Sequence, residues 1–255
     1  MTAAKQINLP FWETVKRSFL YTLLNVSLLG KMFSFGAVLL VYDTFTDFST
    51  LSFLVGDIAE TDWRIGVGKL LNLVVSVAVI VNYCRFVILK EALDFYSLAF
   101  FKRVFLYIIA SVLFALSLII PAAIISAIAS IASLTWLYSV GAVAILVIAV
   151  LLSPIFIYFA SITVDDKTLT LKEAFKLAKG NCNKIFWGAL LIMVPCSILT
   201  ILFGYVYGMV MPDTFLTKLL FSAMLIIISL LDTCLKSSFF AHIYQYFTFY
   251  KNREI

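Results

Sequence analysis

The sequence predicts an all-α, polytopic integral membrane protein with about six transmembrane helices, arranged as three helical pairs with cytoplasmic amphipathic helices. Of its 255 residues, 63% are hydrophobic and 13% are charged, whereas soluble domains are about half apolar and a quarter charged. Apolar runs of about twenty residues recur, which is the length that a helix needs to cross the hydrocarbon core. A transmembrane barrel would instead show strands of roughly ten residues with alternating polarity.

Six apolar segments are expected to span the membrane. They lie at about 25–45, 67–89, 104–126, 137–162, 185–210 and 217–240. The third is rich in alanine, which suits a helix at the centre of a bundle. Gly204 and Gly208 form a GxxxG pattern, which we interpret as a packing contact within the chain. Pro121, Pro154 and Pro195 lie within spans and should kink them.

Basic residues divide unequally between the two sides of the expected membrane. One set of segments holds 14 of the 19 Lys and Arg residues: Met1–Ser18, Arg85–Arg103, Asp165–Lys184 and Lys251–Ile255. The segments on the other side hold three. Because positive residues mark the cytoplasmic side, both termini should be cytoplasmic.

Short sequence echoes divide the single membrane domain into three pseudo-repeats. Their approximate limits are 10–95, 96–165 and 166–255. Lys16–Tyr21 reads like Lys102–Tyr107, and Asn183–Trp187 is a weaker third copy. A second echo pairs Leu89–Leu93 with Leu171–Phe175. Each unit would be a basic amphipathic stretch, an outgoing helix and a returning helix, so the pairs would be related by an axis along the membrane normal.

Two stretches are expected to form amphipathic helices along the cytoplasmic interface. In Leu169–Asn181, Leu171, Phe175 and Ala178 should face the apolar side, while the lysines should face anionic headgroups. The alternative is a solvated linker that only orients the fifth span. Phe11–Leu24 is a second stretch of this kind. The candidate headgroup contacts are Lys172, Lys176, Lys179, Lys16, Arg17, Lys102 and Arg103.

Ionisable or amide side chains within the spans form a candidate intramembrane polar site. Asp232 and Lys236 are four residues apart, so they share one helix face and can pair. Asn82 and Arg85 are three apart near the cytoplasmic end of the second span. The alternatives are a structural ion pair for the first two, and packing or phosphate contact for the others.

The segment Leu171–Trp187 combines an LKEAFKLAKGN-type helix with a long apolar span that follows at once. It resembles a group of bacterial inner-membrane proteins that includes the YciC-like proteins and the membrane domain accompanying some glycerophosphodiester phosphodiesterases. Leu89–Arg103 carries a smaller part of the resemblance, which covers most of the chain in layout. It implies a multi-pass protein of the bacterial cytoplasmic membrane. It supplies no catalytic residues, because the phosphodiesterase domain itself is a soluble barrel with acidic metal ligands.

No motif for catalysis or for a cofactor accompanies these features. The sequence has one histidine and four cysteines without metal-ligand spacing, and we expect the cysteines to be reduced packing residues. It has no glycine-rich phosphate loop and no HExxH. We therefore expect no enzyme, no cofactor, no metal and no nucleic-acid partner. The expected partners are membrane lipids, anionic ones among them, and other membrane proteins.

Three functions remain open on the sequence. The first is a non-catalytic protein that binds lipid or a partner in envelope maintenance or assembly. The second is a transporter or permease for a small amphiphile or lipid, and the third is an intramembrane lipid enzyme. A continuous polar cavity lined by Asp232, Arg85 or Asn82 would favour transport, and a filled core would favour the first function.

Overall fold

The computed structural model describes residues 8–45, 63–131, 135–210 and 214–251. Within these residues the chain forms nine helices and no strand. They are α1 (Phe11–Leu24), α2 (Val26–Phe45), α3 (Trp63–Leu89), α4 (Leu98–Ile131), α5 (Thr135–Leu152), α6 (Ile155–Thr163), α7 (Leu171–Leu177), α8 (Cys182–Val210) and α9 (Phe215–Lys251). The all-α class is confirmed.

Four helices are long and apolar enough to cross a membrane. They are Gly66–Leu89, Leu98–Ile131, Cys182–Tyr207 and Phe215–Phe249. A fifth span results if Trp136–Leu152 and Ile155–Thr163 are taken together, across a bend of 46°. Pro154 lies at that bend and confirms one expected kink. Helix α2 coincides with the first expected span but does not belong to this set. The multi-pass class therefore stands with four to five spans.

The last helix, α9, is the centre of the bundle. It packs against α1, α2, α3, α6 and α8. Small buried residues of α9, namely Ser237, Ser238 and Ala241, allow its neighbours to approach closely. The expectation that the alanine-rich third span would be central is wrong, because the most apolar 18-residue window of α4 contains no buried residue. The alanines of α4 are spread over several of its faces and do not form one packing surface.

Contacts along α9 give the direction of its neighbours. Tyr207 and Phe221 bring their ring centroids within 4.2 Å, and Gly188 faces Phe239, so α8 runs antiparallel to α9. A Cβ on Gly204 would meet nothing within 4 Å. The interpretation of the GxxxG pattern as a packing contact is therefore wrong at Gly204, which is exposed.

Helix α3 runs parallel to α9. The thiol of Cys84 donates to the carbonyl of Ser237 at 3.4 Å. Further along both helices, Gln245 Nε2 donates to the carbonyl of Val87 at 3.3 Å. The ends of α3 and α9 that follow these contacts therefore lie on the same side of the bundle.

Candidate functional site

Helix α1 lies across α9 at one end of the bundle, which we call the basic end. The amide of Leu9 donates to Asn181 Oδ1 at 2.9 Å, which fixes the start of α1 beside α8. Tyr83 Oη donates to Thr22 Oγ1 at 3.3 Å, which fixes the other end of α1 beside α3. Between them, the Tyr21 and His242 ring centroids are 5.7 Å apart.

The inner face of α1 consists of small side chains. Thr14 and Ser18 are buried, and their hydroxyls donate to carbonyls one turn earlier at 2.9 and 2.8 Å. Because these polar groups are satisfied within the helix, the face can pack closely on α9. Trp12, Lys16 and Arg17 lie on exposed positions. The expected helix over Phe11–Leu24 is therefore confirmed.

Helix α7 lies at the same end, where Leu169 and Ala174 belong to the core cluster that also contains Leu9 and Val15 of the α1 region, and it begins with a capping box. The Thr170 hydroxyl accepts from the Glu173 amide, and the Glu173 carboxylate accepts from the Thr170 amide. Leu169, immediately before the cap, is only 2% exposed and belongs to the same core cluster as Ala174. Leu169 and Ala174 thus occupy the two positions of a hydrophobic staple.

Because Thr170 is the N-cap, the helix begins at Leu171 and is shorter than expected. The segment Leu169–Asn181 was expected to be helical throughout, but α7 has seven residues. Ala178 is buried and Phe175 is half-buried, whereas Leu171 is 43% exposed because Leu169 takes the buried position instead. The lysines of this segment are exposed: Lys172, Lys176 and Lys179.

Some of the candidate headgroup contacts are exposed, whereas others form ion pairs within the protein. The side chains of Lys16, Lys102 and the three lysines of the α7 segment are exposed. Arg17 is exposed but pairs with Glu13 at 2.7 Å. Arg103 is 11% exposed and its Nε donates to Asp165 Oδ2 at 2.6 Å. Arg103 therefore binds within the protein.

Arg85 and Asn82 also belong to the basic end. Arg85 donates to the Thr163 carbonyl at 3.1 Å and pairs with Glu91. Asn82 Oδ1 accepts from the Asp94 amide at 3.0 Å. Hydrogen bonds from Ser97 and from the Tyr96 amide in turn hold the pKa of Asp94 below its ordinary value. These contacts fix the loop after α3 to the end of α6.

Asp232 and Lys236 line a different place, a cleft of about 370 Å³ between α3 and α9. The two side chains form an ion pair. The other polar residues of the cleft are Lys69, Asn72, Ser76, Ser229 and Thr233. Lys69, Asn72 and Ser76 recur at spacings of three and four in an apolar span, so they lie on one face of the helix. This pattern was the sequence signal for the polar side of the cleft.

One oxygen of Asp232 has no hydrogen-bond partner within the part of the chain that the structure describes. Oδ2 pairs with Lys236, whereas Oδ1 is buried and no described residue donates to it. On its other side Asp232 lines a second cleft of about 240 Å³ between α8 and α9, together with Ser197 and Thr200. Asp232 therefore lies between two polar clefts.

Neither cleft includes Arg85 or Asn82 among its lining residues. Beside the clefts, α3 and α9 share a buried cluster that includes Tyr83, Cys84 and Cys234. The structure thus splits the candidate polar site into two parts that do not share a cleft.

No known family profile, curated protein sequence or solved structure matches this chain. Among the described residues, no group of three or more His, Cys, Asp or Glu side chains could hold a metal ion. The four cysteines are free thiols, and three of them, Cys84, Cys196 and Cys234, are buried.

Proposed function

We propose that this chain is a non-catalytic, multi-pass protein of the bacterial cytoplasmic membrane, and that its basic end binds anionic lipid in envelope maintenance or assembly. The observation that carries the proposal is the fixed placement of α1 and α7 at one end, with Lys16 and the three lysines of the α7 segment exposed. A basic residue near an anionic surface contributes roughly 1 kcal/mol. The apolar side chains on the outer face of α1, such as Trp12 and Leu24, suit the interface.

The proposed topology has six spans in three pairs, with both termini cytoplasmic. Helix α2 is the first span in this arrangement, and its 20 residues are long enough to cross the hydrocarbon core. Support comes from the antiparallel course of α8 and α9, and from the resemblance in layout to the YciC-like proteins. The basic residues then face the side that the positive-inside rule assigns to the cytoplasm.

Replacing Lys172, Lys176 and Lys179 together with glutamine tests the lipid-binding function. The loss of three charges should weaken binding to anionic lipid by about 3 kcal/mol at most. Binding is measured with purified protein in nanodiscs of graded anionic content. Arginine at the same three positions is the matched control and should retain the lipid preference. An unchanged preference in a folded glutamine variant would make α7 a linker and refute lipid binding by this helix.

The clefts beside Asp232 favour a second candidate, a transporter for a small amphiphile or lipid. An ionisable residue within a membrane span is a functional candidate, and Asp232 has a buried carboxylate oxygen with no donor among the described residues. The buried cluster around Tyr83 and Cys84 argues against a continuous path. The test is the movement of a fluorescent lipid across the membrane of proteoliposomes that contain the protein. Movement that Asp232→Asn abolishes would favour transport over simple binding.

A further inference from the structure

A cleft of about 360 Å³ lies at the basic end, between the start of α1 and the last turns of α9. Glu13, Thr14 and Arg17 of α1 line one wall, and His242 and Gln245 of α9 line the other. His242 and Gln245 are three residues apart, so their side chains lie on the same face of α9. The volume of the cleft is typical of a small-molecule site.

The backbone fixes which atoms His242 and Gln245 present to a ligand. His242 Nδ1 donates to the carbonyl of Ser238 at 2.7 Å. Since a carbonyl can only accept, Nδ1 carries the proton, and Nε2 of the neutral imidazole is an acceptor. Gln245 Nε2 donates to the carbonyls of Val87 and Ile88 at 3.3 and 3.4 Å. The other polar atom of that side chain, Oε1, is therefore also an acceptor.

Both acceptors are open to a ligand. No described residue donates to His242 Nε2 or to Gln245 Oε1. Neither atom is enclosed, because Asp232 Oδ1 is the one buried side-chain nitrogen or oxygen without a partner in the described part of the chain. Cβ atoms three residues apart on a helix are separated by roughly 5–6 Å. Two neighbouring hydroxyl groups that donate in different directions can span this distance.

The charges around the cleft favour a neutral donor on an anionic ligand. Arg17 and Lys90 both lie close enough to His242 to act on it electrostatically, so they would repel an ammonium group bound there. Glu13 carries the opposite charge but pairs with Arg17. That pair uses one of the five N–H groups of the guanidinium, and the Arg17 side chain is 66% exposed. Arg17 can therefore donate to a phosphate at the mouth of the cleft without releasing Glu13.

We propose that this cleft binds a glycerol phosphate group, supplied by the headgroup of an anionic phospholipid such as phosphatidylglycerol. The two hydroxyls of the terminal glycerol donate to His242 Nε2 and Gln245 Oε1, and the phosphodiester lies at the mouth beside Arg17. The lipid source rests on the proposed function, which places α1 at the membrane interface and the cleft at the level of the headgroups. The lysines of the α7 segment attract any anionic lipid, whereas the cleft distinguishes one headgroup from another.

Three lipids of equal charge separate the hydroxyls from the phosphate. Phosphatidylglycerol, phosphatidyl ethylene glycol and phosphatidylpropanol carry two, one and no headgroup hydroxyls. Native mass spectrometry of the protein released from nanodiscs with the same fraction of each lipid should show about fivefold more bound lipid for each hydroxyl gained, as expected for hydrogen bonds between neutral groups. Equal binding of phosphatidylglycerol and phosphatidylpropanol by the unaltered protein would overturn the proposal.

Variants of the two acceptors locate the preference. Gln245→Lys can still donate to the backbone carbonyls but has no acceptor, and His242→Phe keeps an aromatic ring beside Tyr21 but has no ring nitrogen. Each should reduce the preference for phosphatidylglycerol over phosphatidylpropanol about fivefold. Leu20→Lys is the matched control, because it adds the same charge as Gln245→Lys on the exposed outer face of α1, and it should leave the preference intact. A preference unchanged in the folded Gln245→Lys and His242→Phe variants would contradict the site.

Two further arms separate the possible sources of the signal. The glutamine variant of Lys172, Lys176 and Lys179 should lose the general preference for anionic lipid but retain the ratio of phosphatidylglycerol to phosphatidylpropanol. Failure of the proposed function and failure of the cleft are therefore distinguishable. Soluble glycerol phosphate should not displace the bound lipid. Displacement would assign the cleft to the free ester and overturn the lipid assignment.

Discussion

Adjacent basic residues at the basic end have different roles, as Lys102 and Arg103 illustrate. Lys102 is exposed, whereas Arg103 bonds Asp165, which also lies 3.8 Å from Arg85. The sequence could predict that both residues lie at the basic end, because both belong to a basic segment before an apolar span. It could not predict the partner of Arg103, because Asp165 comes from a distant segment and is brought there by the packing of α4 on α6.

The pair of variants Arg103→Gln and Lys102→Gln tests this division. Arg103→Gln should lower the free energy of unfolding by about 1.5 kcal/mol, near the lower end for hydrogen bonds to charged groups because Asp165 is half exposed. Lys102→Gln removes the same charge from an exposed position and should change it by about 0.5 kcal/mol or less. Denaturant unfolding in detergent micelles measures both. Equal losses in the two variants would show that the ion pair contributes nothing specific.

Among the helices, close packing at α9 decides the arrangement more than hydropathy does. Gly188 of α8 lies against Phe239, and its Cβ position is 3.3 Å from Phe11. The apolar spans themselves were predictable because each contains a long apolar run with few charged residues. The position of α9 at the centre could not be predicted, because lipid-facing and buried faces of membrane helices are equally apolar and the sequence pattern does not separate them.

The register of α7 was missed for a different reason, since Leu169 takes the buried position before the cap.

Gly188→Ala tests the contact between α8, α9 and α1. The added methyl group must displace the Phe239 ring, so the variant should lose about 1–3 kcal/mol, as in overpacked cores. Gly204→Ala is the matched control on the same helix, where the methyl group meets nothing within 4 Å. Its stability should be unchanged or slightly higher. Thermal unfolding of both variants in one detergent gives the comparison, and a neutral Gly188→Ala would contradict the close approach of the helices.

In the molecule as a whole, segments that are distant in the sequence share the basic end. Asn8 accepts from Lys184, and Tyr244 donates to Asp166 at 2.7 Å. The charge distribution predicted that Asn8, Asp166 and Lys184 would lie on one side, because their segments belong to the basic set, whereas Tyr244 lies outside that set. The sequence echoes are less informative about structure. Leu171–Phe175 lies in α7, whereas Leu89–Leu93 leaves the helical conformation at Lys90, whose φ is 60°. The threefold repeat therefore stays a prediction.

Cysteine labelling in intact bacterial cells tests the central claim, that the basic end faces the cytoplasm. The background carries Cys182→Ser, because the other three cysteines are buried. Lys176→Cys then reports on the basic end and Thr214→Cys on the opposite end, and both positions are exposed. An impermeant maleimide should label Thr214→Cys in intact cells and Lys176→Cys only after permeabilisation. Labelling of Lys176→Cys from outside would contradict the orientation, and equal labelling of both would contradict the crossing of the membrane by α8 and α9.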